Sequence, residues 1–231
     1  MSFTKIKIKV PDVNRTYVKG SYNYSKLETI KANTDVMNTI YKTYGGYIAK
    51  WGEVFDIDDS IITGFIATES GGINVGKNNY NAVGLMQMTP DAVWEMISKW
   101  NKIVGNPLPK MAKDYFNKVI PSSKKFDPNV LPTASITNEI LNALKNPEFN
   151  IAVGTANIRW LLEAFKDNSG ANINKVMVSY NSGYYASISK VKKSQTTEQM
   201  INNKNFSLES RGYLLKMLGK NGFLDLWFKN K

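Results

Sequence analysis

The chain has 231 residues, a net charge of +11 and an apolar fraction of 42%, and it contains neither cysteine nor histidine. Those two absences remove thiolate nucleophiles, Ser-His-Asp triads and zinc sites built on His or Cys, so carboxylates, Lys, Tyr, Ser and Thr are the available catalytic groups. The length allows one large domain, or one domain with a small appendage, and the apolar fraction suits a packed core.

In chain order, Lys5-Ile6-Lys7-Ile8-Lys9-Val10 alternates with period two, the pattern of a half-exposed strand, and Pro11-Asp12 ends it. Residues up to Asn33 are polar and Tyr-rich without a strong period. Residues 1–34 are therefore read as a small N-terminal extension with strand-forming character, packing or docking rather than acting as a lid, and residues 35–231 as the main domain. From Asp35 helical spacing dominates, with Val36, Ile40, Tyr44, Tyr47 and Ile48 at steps of three or four. Gly45-Gly46 interrupts this pattern and predicts a bend or break. Asp58 or Asp59 is the expected cap of a second helix with the apolar stripe Ile62, Phe65 and Ile66. Glu69 continues that stripe before Gly71-Gly72 ends the helix in left-handed backbone.

A third helix is marked by Pro90, Asp91, Ala92, Val93, Met96, Ile97 and Trp100. Residues 101–146 carry several prolines and predict short helices joined by loops. Asn146-Pro147-Glu148 is a helix start, with a cap, a first-turn proline and an acid near the dipole. The expected buried face of that helix is Ile151, Ile158, Leu161, Leu162 and Phe165, and Gly154 on the same side predicts close helix packing. Ile173, Val176, Met177 and Tyr180 mark the next helix, Ser207 to Leu218 another, and Phe223 to Phe228 closes the chain. The fold class is mainly α. The five tryptophans are read as packing residues rather than sugar platforms.

Glu69 is the most informative residue, because a carboxylate on an apolar stripe is costly unless it has a task. Four segments around it have a family order: Glu69-Ser70-Gly71; Gly84-Leu85-Met86-Gln87; Ser179-Tyr180-Asn181-Ser182-Gly183, preceded by Asn146-Pro147-Glu148-Phe149-Asn150-Ile151 and Gly154; and Glu209-Ser210-Arg211-Gly212-Tyr213. Together, over roughly residues 59 to 218, they resemble the soluble lytic transglycosylase family with its lysozyme-like fold, related to goose-type lysozyme. Asn157 departs from the tyrosine usual in that family. The stretch from about 95 to 146 is longer than the usual connection, and residues 1–34 fall outside the resemblance.

The resemblance implies cleavage of the β-1,4 bond from N-acetylmuramic acid to N-acetylglucosamine in peptidoglycan, without water, giving 1,6-anhydro products. It implies Glu69 as the acid that then serves as base. Burial on the apolar stripe is expected to raise its pKa. Ser70, Met86, Gln87, Tyr180, Asn181 and Tyr213 are the expected substrate-binding residues. Met86 and Gln87 would line the groove, Tyr180 would direct its hydroxyl at Glu69, Asn181 would contact sugar, and Tyr213 would be a weaker counterpart of Tyr180. Glu209 would brace its own helix. No metal and no cofactor is expected.

Two other readings compete. Goose-type lysozymes, which hydrolyse the bond, carry an aspartate shortly after the Gly-Leu-Met-Gln-like motif; here Met88-Thr89 stands there, and Asp91 beyond Pro90 reads as a helix starter. A non-catalytic wall-binding module is the other, and retention of both Glu69 and Tyr180 argues against it. The expected partner is the peptidoglycan glycan strand, which suits a basic surface, and nucleic acid is not expected because no binding motif accompanies the charge. No run approaches the ~18–20 apolar residues of a membrane span, so no membrane insertion is expected. Met1 to Lys7 has charge but no apolar core behind it, unlike a secretory signal. The expected setting is therefore a bacteriophage lysin or virion-associated enzyme, monomeric, reaching the wall through a holin or on the particle, with its N-terminal extension docking to a virion or secretion component.

Overall fold

A computed structural model describes residues 5–11, 13–16, 26–193 and 196–229. Among them are eleven α-helices and two small sheets, consistent with a mainly helical, lysozyme-like domain. The expected strand at Lys5–Val10 is reduced to β1 (Ile8–Lys9), and β2 follows at Val13–Thr16. The calls on Met1–Thr4, Asp12 and residues 17–25 of the extension lie outside the described residues.

The first helix, α1 (Lys26–Phe55), begins before Asp35 and runs unbroken through Gly45-Gly46. Its start escapes an apolar-period reading because the anchor there is polar. Asn33 is buried and donates through Nδ2 to the Asn221 carbonyl at 2.8 Å. The glycine pair does not break the helix because Ile40, Ile48, Trp51 and Phe55, on both sides of it, are fully buried and hold the axis in place. Tyr47, expected on the apolar face, is exposed.

The second helix, α2 (Asp59–Glu69), is capped by Asp58, whose carboxylate accepts from the Ser60 amide at 2.8 Å. Ile62, Phe65 and Ile66 are fully buried, each contributing roughly 1.5–3 kcal/mol by leaving water. Gly71 and Gly72 follow with φ of 64° and 84°. The connecting loop leads to α3 (Pro90–Val104), which Thr89 caps by accepting from the Ala92 amide at 3.2 Å, with Asp91 in the first turn as expected.

Short elements fill the region rich in proline: α4 (Lys110–Val119), a 3-10 turn at Pro121–Lys125, and α5 (Ala134–Leu144). The central helix is α6 (Pro147–Phe165), with Asn146 accepting from the Phe149 amide at 3.0 Å. It is buried on nearly all sides and packs against α1 and α3. Arg159, 1% exposed, reaches from α6 to the Phe55 carbonyl at the end of α1 and pairs with Glu163 at 2.6 Å. A buried pair of this kind fixes geometry more than it adds net stability.

Beyond α6, β3 (Lys166–Asp167) turns back on β4 (Gly170–Asn172), and β1 joins β4 in parallel, giving the order β1-β4-β3. Then come α7 (Ile173–Ser182), α8 (Tyr184–Lys193), α9 (Thr197–Asn202) and α10 (Leu208–Leu218). After α10, β5 (Gly219–Lys220) pairs in parallel with β2, and α11 (Phe223–Lys229) ends the described chain. The described strands of the N-terminal segment are thus edge-paired onto the helical body at two places. Helix α2 lies against α1, α10 and α11. That packing brings Glu69 together with Tyr213, 144 residues later in the chain. No helix among the described residues is long and apolar enough to cross a membrane.

Candidate active site

The site is built where the C-terminal end of α2 meets α7, α10 and the loop at residues 83–88. Glu69 is the last residue of α2. It keeps part of its surface open to solvent while protein crowds it on the other sides. That crowding pushes its pKa up from 4.5 to about 7. Three neighbours modulate the result. The Tyr213 hydroxyl and the Lys216 charge pull it down, and the Glu209 charge pushes it up. A carboxyl whose pKa is raised toward neutrality is suited both to deliver and to accept a proton.

Tyr213 on α10 donates its hydroxyl to Glu69 Oε1 at 2.8 Å. Tyr180 on α7 does not. Its hydroxyl donates to the Met86 carbonyl at 2.8 Å and lies 3.1 Å from Met88 Sδ. The expected roles of the two tyrosines are therefore exchanged. The register of α10 sets this: Tyr213 is 7% exposed and faces α2, whereas Tyr180 reaches past Glu69 to the loop. Both rings pack on Phe65, with centroids at 4.8 Å for Tyr180 and 6.1 Å for Tyr213. Phe65 is one helical turn before Glu69 and so stands the two tyrosines beside it. Burial and the nearby Glu69 carboxylate hold both phenols well above their ordinary pKa, so they are hydroxyl donors at any working pH.

The loop 83–88 is a tight turn closed by paired Val83 and Met88 amides and carbonyls. Gly84 has a φ of 83°, and a Cβ there would lie 2.3 Å from Asn150 Nδ2. Asn150, fully buried on α6, accepts from the Met86 amide at 2.7 Å and donates to the Val83 carbonyl at 2.8 Å and the Leu144 carbonyl at 3.1 Å. The sequence placed this residue in the segment leading to the third motif but gave it no role of its own. Its signal was an amide on an otherwise apolar helix face, where a buried polar group must find partners.

Met86 does not line a groove with its side chain. It is fully buried against Gly154, where a Cβ would lie 2.4 Å from its sulfur. Gly154 therefore admits the motif loop rather than a second helix. Gln87 is half-buried, with Nε2 donating to the Gly84 carbonyl at 2.8 Å and Oε1 accepting from Asn78 Nδ2 at 3.1 Å. Ser70 Oγ lies 2.7 Å from the Leu85 carbonyl and 3.1 Å from the Ile66 carbonyl, and accepts from the Gly72 amide at 3.2 Å. Its hydroxyl ties the end of α2 to the loop instead of facing a ligand. Asn181 is held between Glu209 Oε1 at 3.3 Å and the Ser210 hydroxyl at 2.7 Å. Glu209 is exposed and braces α7 against α10, not α10 alone.

The residues expected around Glu69 are thus gathered at one place, but Ser70 and Met86 serve the scaffold. Lys216, one turn beyond Tyr213, was not foreseen. Its Nζ donates to the Thr68 carbonyl at 2.7 Å. The i, i+3 spacing from Tyr213 was its only signal. Met88 is buried and Thr89 caps α3, while Asp91 is exposed in the first turn. Four of the tryptophans, Trp51, Trp94, Trp100 and Trp160, are buried in the core, and Trp227 packs edge-on to Tyr41 at 5.7 Å. Among the described residues no group of three or more carboxylates gathers to hold a metal ion. A cavity of about 890 Å³ opens at the opposite end of α2, lined by Ile8, Glu53, Asp56, Asp58 and Phe228 among others, and includes no motif residue.

Residues 130–203 match the transglycosylase SLT domain. The matched span covers α5 to α9 with β3 and β4 between them, and so contains Asn150, Tyr180 and Asn181. Glu69, the 84–87 turn and Tyr213 lie outside it and come to the site through the fold. The match supports a lytic-transglycosylase-like function acting on peptidoglycan. None of the curated proteins matches the chain.

Proposed function

We propose that this protein is a peptidoglycan lytic transglycosylase with Glu69 as its single acid and base. The observation that carries the reading is the state of that carboxyl. It is crowded by protein, held by Tyr213, and has a pKa of about 7, while Met88 and Thr89 offer no second carboxylate. In the first step protonated Glu69 gives its proton to the glycosidic oxygen, and the bond from that oxygen to the anomeric carbon of N-acetylmuramic acid breaks. The leaving sugar departs with a free 4-hydroxyl. Glu69, now a carboxylate, takes the proton from the 6-hydroxyl of the same muramic acid residue. That oxygen bonds to the anomeric carbon and closes the 1,6-anhydro ring. Glu69 ends protonated as it began, and no water is consumed. A glycosidase with two carboxylates would divide these tasks.

Tyr213 fixes the Glu69 carboxyl in one orientation, so that both proton transfers use a positioned group. Tyr180 holds the Met86 carbonyl and thereby the turn that carries Gln87. The remaining amide hydrogen of Gln87, half open to solvent, is suited to a sugar acetamide carbonyl. The expected ligand is the glycan strand, and the net charge of +11 favours an anionic wall.

A second reading, hydrolysis of the same bond, is favoured by one observation: the charge of Glu209 acts on Glu69. A carboxylate there could activate water. Mass analysis of muropeptides released from purified peptidoglycan separates the two. Anhydro products support the transglycosylase, and products heavier by one water support the hydrolase. Glu69→Gln should remove release in both cases, and clearance by Glu69→Gln equal to the parent would remove Glu69 from the mechanism.

A further inference from the structure

Among the described residues, the charged and titratable groups that act on Glu69 are Tyr213, Lys216 and Glu209 from α10 and Tyr180 from α7. Of these only Lys216 carries a positive charge. Its ammonium is fixed rather than waving in solvent, because Nζ donates to the Thr68 carbonyl at 2.7 Å. That carbonyl belongs to the last turn of α2 and is immediately before Glu69 in the chain. The Lys216 stem lies half-buried on α10 and its ammonium is 5.6 Å from the Phe223 ring centroid. A cation at a helix C-terminus also interacts favourably with the negative end of the helix dipole.

We propose that Lys216 is a positioning residue for Glu69: anchored on the Thr68 carbonyl, its ammonium is the counter-charge that steadies the Glu69 carboxylate left after proton delivery. The inference rests on the proposed role of Glu69 as acid and then base. A lone carboxyl doing both jobs needs its two forms close in free energy. Burial and the Glu209 charge favour the protonated form. The Tyr213 hydrogen bond and the Lys216 charge favour the ionised form. Tyr213 engages Oε1 of Glu69, while the Lys216 ammonium is held on the carbonyl of the preceding residue, Thr68.

A helix cap alone would also explain the bond to Thr68, so the test has to read the carboxyl itself. Glu69 is followed by carbon-13 NMR of its side-chain carboxyl across pH in the parent, Lys216→Met and Lys216→Arg, with Glu69→Gln assigning the signal. The expected result is a midpoint near 7 in the parent, a higher midpoint in Lys216→Met, and a return toward the parent in Lys216→Arg. The high-pH limb of muropeptide release should move with it. The chain has no cysteine, so Lys216→Cys can be alkylated selectively with bromoethylamine, which restores an ammonium at nearly the same reach. Recovery of the parent midpoint on alkylation supports the proposal even if Lys216→Met folds poorly. A folded Lys216→Met or unalkylated Lys216→Cys with the parent midpoint, and only a lower melting temperature, overturns it and leaves Lys216 a helix cap. A shifted midpoint in a protein whose parent releases no muropeptide supports the coupling of Lys216 to Glu69 and overturns the proposed function instead.

Discussion

Tyr213 and Glu69, 144 residues apart in the chain, meet at 2.8 Å through the tyrosine hydroxyl and the carboxylate Oε1. The bond is made possible by the packing of α10 on α2 and by Phe65, whose ring packs against both Tyr213 and Tyr180. It pulls the Glu69 pKa down against the larger upward push of burial. Tyr213→Phe removes the bond and keeps the ring. The high-pH limb of muropeptide release should then move upward, and the rate at neutral pH should fall roughly 10- to 100-fold, the usual value of a hydrogen bond to a charged group. Tyr180→Phe should leave that limb close to its parent position, because its hydroxyl is bonded to the Met86 carbonyl. A pH–rate profile of both variants checks the assignment.

Glu69 also makes stability depend on pH. Its folded pKa, about 7, exceeds the ordinary value of 4.5, so the folded state holds the proton more tightly than the unfolded one. Its contribution to stability is fully present below about 4.5 and is lost as pH rises through about 7. Glu69→Gln, which cannot ionise, should therefore gain stability relative to the parent as pH rises through that window. The gain is at most about 3 kcal/mol, reduced by solvent screening on the open side of the carboxyl. Thermal melts of both proteins at acid and mildly alkaline pH read it. In activity the same variant should lose roughly 10²- to 10⁴-fold, the usual share of a positioned acid/base group.

The turn that carries Gln87 depends on two close approaches. At Gly84 the backbone has a φ of 83° and a Cβ would lie 2.9 Å from the Leu144 carbonyl as well as against Asn150. Gly84→Ala should cost about 2 kcal/mol or more and disturb the loop. Asn150→Ala removes three buried hydrogen bonds and should cost a similar amount. Chemical denaturation measures both, and in each the melting loss should come with loss of muropeptide release.

The basic surface predicts salt-sensitive wall binding. Raising ionic strength should weaken sedimentation of the protein with purified cell walls, because exposed charges are screened beyond a Debye length of about 8–10 Å. Salt-independent binding would contradict an electrostatic contribution.

Much of this was legible in the residues. The stripe Ile62, Phe65, Ile66 and the glycines after Glu69 set out α2, its buried face and its end, because helical period and cap chemistry are local properties. The cap at Asn146 did the same for α6. Partners across long sequence separations were not legible. Nothing local says that Tyr213, rather than Tyr180, reaches Glu69, since the choice is made by the rotation of α10 and α7 against α2. Met86 looked available for a ligand until Gly154 showed the space it fills. The start of α1 was hidden because Asn33, a polar residue, is its buried anchor. Lys216 was hidden because a lysine on a helix end reads as solvated until the Thr68 carbonyl is seen beside it.

The central claim is that one carboxyl performs both proton transfers with no water in the products. Digestion of purified peptidoglycan in water enriched in heavy oxygen, followed by mass spectrometry of the released muropeptides, tests it most directly. The parent and Glu209→Gln should both yield anhydro-muramic acid ends with no heavy oxygen incorporated. Products one water heavier that carry the label, and that disappear in Glu209→Gln, would show that Glu69 shares its chemistry with a second carboxylate and would contradict the account.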